Sequence, residues 1–155
     1  MGFLNKMMGL GGRKSAANKQ KIREIFNAKV QDGDSYTVLA AMNMVIGQEF
    51  LEEIYIYYNY IIGYKDGNDP EFVLIPTDKK LSAMEDPVHC KRSECREAKY
   101  LEQTGSFTLT HPGFGDNPID FGVIASTAWD GDIIDVSYVD EYMPFMEFYR
   151  KRFVK

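Results

Sequence analysis

His89-Cys90-Lys91-Arg92-Ser93-Glu94-Cys95, with His111 further along, supplies two imidazoles and two thiols, the donor atoms of a tetrahedral zinc site. The spacing departs from a zinc motif, because His89 and Cys90 are adjacent and the chain has no second cysteine pair. The same residues could serve a small metal-binding protein or a thiol enzyme. Lys91 and Arg92 would lower the Cys90 pKa and His89 or His111 would act as base, provided the fold brings them together. The plainer reading is a loop holding ordinary cysteines, with no metal, cofactor or catalytic motif implied.

Asp116, Asp120, Asp130, Asp132 and Asp135 offer carboxylates for calcium or for acid–base work. They lack the alternating spacing and closing glycine of a calcium loop, so turn chemistry accounts for them better. Gly113-Phe114-Gly115 is followed by no lysine and no strand-to-helix change, so it is not a phosphate cradle.

Aromatic residues carry a different signal. Tyr55, Tyr57, Tyr58, Tyr60 and Tyr64 place rings on both faces of one strand, and both faces cannot enter one core. With Ile54, Ile56, Tyr58, Tyr60 and Ile62 turned inward, Tyr55, Tyr57 and Ile61 point outward as an amphipathic patch of the kind found at interfaces. The alternative is that Ile22, Ile25 and Phe26 of an N-terminal helix cover the patch within the monomer.

A second candidate surface is residues 1–14. Phe3, Leu4, Met7 and Met8 can gather on one side of a short helix beside Lys6, so apolar insertion and attraction to anionic headgroups could act together in a weak membrane contact. An ordinary solvated tail is the competing reading. Lys6 stands where a myristoylation motif requires Ser or Thr, and the first ten residues have neither the apolar core nor the cleavage site of a leader.

These side chains must be held by elements that the hydrophobic period reveals. Gly11-Gly12-Arg13-Lys14 reads as a basic link, Ser15 as a helix cap, and Ile22, Ile25, Phe26 and Val30 as the apolar stripe of a helix ended by Asp32-Gly33-Asp34. Period-two runs predict strands at 36–46, 53–64, 71–77, 96–102, 105–111, 119–127 and 133–139, although Ala40, Ala41 and the methionines leave a helix open for the first. Residues 78–95 have no clean period and read as a loop or short helix. Asp130-Gly131 is a hairpin turn by composition. A closing helix from Asp140 presents Tyr142, Phe145, Met146, Tyr149 and Phe153 on one side, with Pro144 tolerated in its first turn.

At 155 residues, 45% hydrophobic and 14% aromatic, the chain is large enough for one core without disulfide or metal staples. Two cysteines are too few for a secreted disulfide scaffold, so the expected compartment is the reducing cytoplasm. The net charge of −5 hides an asymmetry: residues 1–30 carry seven Lys or Arg against Glu24 alone, and the remainder sums to −11. A body so acidic is a poor ligand for nucleic-acid phosphates.

Seven strands followed by one amphipathic helix resembles a pleckstrin-homology-like barrel, with the resemblance carried by the alternating runs and by the segment from Asp140 to Phe153. It implies an α+β fold in which a seven-stranded antiparallel barrel is capped by the C-terminal helix and preceded by an N-terminal helix. The implied layout is an arm over 1–14, a helix over 15–34 and one barrel domain over 35–155. In phosphoinositide-binding members the first hairpin loop is basic. Here Gly47-Gln48-Glu49-Phe50-Leu51-Glu52-Glu53 is acidic, so headgroup recognition does not carry over. The expectation is a non-enzymatic interaction or scaffold module that binds a protein partner or itself.

Overall fold

The computed structural model describes residues 2–115, 117–125 and 132–154, with side chains from Ser15 onward. Asp116 and the Asp130-Gly131 turn lie outside the described residues, as do the side chains of Phe3, Leu4, Lys6, Met7 and Met8. The elements are α1 (Gly2–Lys29), β1 (Thr37–Glu49), β2 (Glu52–Lys65), β3 (Glu71–Thr77), β4 (Val88–Lys91), β5 (Glu97–Leu101), β6 (Ser106–Thr110), β7 (Ile119–Val123) and α2 (Val139–Phe148), which runs on into a π turn at Tyr149–Phe153. All pairings are antiparallel, in the order β4-β3-β2-β1-β7-β6-β5, and the sheet curls into a half-barrel.

Residues 37–46 are strand, because their apolar side chains meet partners across β1 and β2 rather than along one helical face. Neighbouring positions of β2 show how the two sides of the sheet are used. Gly63 faces the ring of Phe26 on α1, and Tyr64 faces Phe145 and Phe148 of α2, with ring centroids 5.3 and 4.5 Å away. The predicted stripe of α1 is confirmed: Ile22, Phe26 and Val30 are buried and Ile25 packs at their edge. Ser15 is not a cap. The α1 backbone is helical through Gly11-Gly12, and the Ser15 hydroxyl accepts a hydrogen bond from the Ser137 amide at 2.9 Å.

The concave side is filled by rings. Phe107 stacks on Phe121 at 5.4 Å and lies 4.9 Å from Phe145 and 5.0 Å from Tyr149, so α2 and the π turn complete this core from outside the sheet. Tyr149 also donates its hydroxyl to the Thr108 carbonyl, and burial holds that phenol far above its ordinary pKa. Pro144 lies inside α2 rather than in its first turn, leaving the Asp140 carbonyl without its helical donor.

The described residues form seven strands, the number predicted, but two assignments change. Val88–Lys91, within the stretch predicted to be a loop, is edge strand β4, with Cys90 opposite Phe72. Four residues are too few to display a period. Residues 133–139 do not join the sheet, although Ile134, Val136 and Tyr138 are buried with the alternation of a strand. Their main-chain groups find other partners. Ile134 N–H donates to Asn59 Oδ1 at 3.0 Å, Asp135 C=O accepts from Asn18 Nδ2 at 2.7 Å, and Tyr138 N–H donates to the Ile124 carbonyl at 2.9 Å.

Candidate functional site

The longest pairing in the sheet runs beyond its neighbours. β1 meets β7 at Ala41 and Met42, and β2 meets β3 from Asn59 onward. Among the described residues, 43–49 and 52–58 therefore form a two-stranded ribbon without a third strand. Directly opposed residues share a face, so Met44 with Tyr57 and Ile46 with Tyr55 lie on one side, and Val45 with Ile56 and Gly47 with Ile54 on the other. Ile46 is 58% exposed and Tyr55 55% exposed. An isolated hairpin is marginal in water, and one with apolar residues on both faces is an unfavourable surface unless something covers it.

At the tip, Phe50 and Leu51 are 95% and 87% exposed. Phe50 has a φ of 58°, in the left-handed region that a two-residue hairpin turn normally gives to glycine. The flanking charges are Glu49, Glu52 and Glu53, and the ribbon carries no Lys or Arg.

The predicted patch of Tyr55, Tyr57 and Ile61 is thereby divided. Tyr55 stands on the open ribbon, Tyr57 is half-buried nearer its foot, and Ile61 is 0% exposed and belongs to the core. Among the described side chains of α1, Phe26 packs on this face at the far end of β2, against Gly63. Between them, Asn59 is buried and holds the 132–134 segment through its bond to Ile134 N–H and through Nδ2 donating to the Asp132 carbonyl at 3.1 Å. The residues missed from sequence are Ile46, Phe50 and Leu51. Their signal was an apolar pair set among three glutamates in a turn with no Gly, Asn or Pro at its centre.

On the concave side of the ribbon's foot lies a groove of about 630 Å³. Tyr58, Tyr60, Leu74 and Pro76 form its floor, Met84 and Glu85 one wall, and Phe114 and Ile119 the other. The first wall is fixed by main-chain bonds: Glu85 N–H donates to Pro76 C=O at 2.9 Å, and Asp78 N–H to Ala83 C=O at 3.1 Å. Burial raises the Tyr60 pKa, with Tyr58 and Glu85 adding to the shift, so its phenol remains a hydrogen-bond donor.

Of the four cysteine and histidine residues, Cys90, Cys95 and His111 are buried and His89 is exposed. On β4 Cys90 points into the core and His89 out of it, where its Nδ1 lies 2.8 Å from Glu71 Oε1. Burial drives the Cys90 thiol well above its ordinary pKa, and the nearby Cys95 pushes the same way, opposite in direction to the lowering expected from Lys91 and Arg92. His111 is buried, with Nδ1 accepting from Gly113 N–H at 2.9 Å. Among the described residues no three His, Cys, Asp or Glu side chains converge as metal ligands would. Asp120 accepts from Thr108 Oγ1 at 2.8 Å and Asp132 pairs with Lys79 at 3.7 Å, so these carboxylates are dispersed. No described helix is long and apolar enough to cross a membrane. No family model, curated protein or solved structure matches the chain.

Proposed function

We propose that this chain is a non-enzymatic interaction module, working in the cytoplasm on a pleckstrin-homology-like scaffold, whose contact surface is the β1–β2 ribbon. The observation that carries this reading is the ribbon itself: it leaves the sheet, exposes apolar side chains on both faces and ends in Phe50-Leu51. Exposed aromatic and aliphatic anchors on a rigid extension are the material of binding hot spots. Three glutamates at the tip favour a basic protein partner over a second copy, since two tips brought together would set like charges against each other. The thiol-enzyme alternative is disfavoured by the buried Cys90 and the outward His89.

The test is site-specific photocrosslinking in the producing cell. A crosslinker at position 50 or 55 should yield a discrete product with a second polypeptide, and one at Glu97, exposed on the far edge of the sheet, should not. A product holding two copies of this chain would replace the partner with self-association. Absence of any product specific to positions 50 and 55 would overturn the reading.

A further inference from the structure

We infer that the groove at the foot of the ribbon receives a basic side chain, lysine or arginine, from an extended segment of the partner. This rests on the reading of the chain as a binding module and adds the chemistry of what is bound. Tyr58 and Tyr60 alternate onto one face of β2, and Tyr60 lies opposite Pro76 of β3, so the floor is fixed by the sheet. Its about 630 Å³ falls within the size range of ligand sites and exceeds one side chain, leaving room for the main chain that carries it.

The lining decides the sign of the ligand's charge. Among the described residues that form the groove the ionisable side chains other than tyrosine are Asp78 and Glu85, with no Lys, Arg or His. Asp78 is committed to the 78–83 turn, where its carboxylate accepts from the Ser82 amide at 2.7 Å and the Ala83 amide at 3.2 Å. Glu85 is bound through its main chain, and its carboxylate stands exposed at the rim beside Tyr60. Tyrosine faces attract a cation through their quadrupoles, and the Leu74 and Met84 side chains suit an aliphatic stem. An anion would be repelled by both carboxylates. The acidic ribbon above the groove extends the same preference along the partner.

A short peptide with one central lysine among alanine, serine and glycine tests this against the same peptide with norleucine, which keeps the stem and removes the charge. Titrated into the full chain and followed by NMR of the Tyr58 and Tyr60 rings, the lysine peptide should bind about tenfold more tightly. Glu85→Gln, an exposed and nearly isosteric change, should abolish that difference without altering the fold. Equal binding of the two peptides, or no shift with the lysine peptide at about 10 mM, would overturn the proposal. Retention of the difference in Glu85→Gln would overturn the role of Glu85. The peptide does not involve the ribbon tip, so failure of the ribbon reading appears in the crosslinking and failure of the groove appears here.

Discussion

The ring of Phe26 occupies the space above Gly63 that a Cβ would need, so α1 sits on β2 at a distance only glycine permits. Gly63→Ala would force the ring, itself fully buried, or the helix to move. Overpacking of this kind costs about 1–3 kcal/mol. Phe26→Leu should lose stability alone yet recover part of it when combined with Gly63→Ala, because the smaller side chain vacates the clash. Chemical denaturation of the four proteins checks the cycle, and strict additivity would show that the two positions do not press on each other.

Asn59 stands in for a strand partner of the 132–134 segment, donating to one carbonyl and accepting from one amide. Asn59→Ala leaves both groups without these bonds, and an unmet buried polar group costs about 1–3 kcal/mol. The expected outcome is a destabilised protein in which the Ile134 amide loses protection from hydrogen exchange more than the amides of β3 do. Uniform loss across both would mean that Asn59 supports the whole fold rather than this segment.

Patterns that depend on local chemistry were legible in the sequence. The α1 stripe, the aromatic stripe of the final helix and the long strand at β2 follow from side-chain spacing alone. Residues 133–139 have the burial alternation of a strand, and only the positions of Asn59, Asn18 and Ile124 determine that side chains and a loop carbonyl satisfy their backbone. The ribbon was hidden for a similar reason. Residues 43–46 and 53–58 read as the ends of ordinary strands joined by a 47–53 loop, and where β7 and β3 stop alongside them is a property of the assembled sheet. The groove joins β2 and β3 to Phe114 and Ile119 across distant stretches of chain, which no local spacing encodes.

His111 gives the protein a predicted acid sensitivity. Burial lowers its pKa below the ordinary histidine value, with Glu94, 4.0 Å away, opposing. The neutral ring accepts the Gly113 amide at Nδ1, and protonation there would remove that acceptor. Because the unfolded chain binds the proton more readily, the stabilisation is present above about pH 6.5 and declines as pH falls from there toward the depressed folded value. Urea midpoints measured between pH 7.5 and 5 should fall, and His111→Gln should flatten that part of the profile. An unchanged slope in the variant would assign the acid sensitivity to other groups.

Phe50 separates stability from binding at a single position. Its φ of 58° holds a side chain where glycine is at ease, and its ring is 95% exposed, so the monomer gains little from it. A left-handed residue with a Cβ is strained by about 1–2 kcal/mol relative to glycine. Phe50→Gly should therefore leave unfolding unchanged or shift it toward greater stability, while Phe50→Ala, which keeps the Cβ, should behave like the parent chain. Both variants should lose the crosslinked product formed from position 55, because both remove the ring. Denaturation curves and crosslinking yields from the same preparations check the two halves together. Marked destabilisation by both substitutions would place the ring in the core, and full crosslinking by both would move the contact away from the tip.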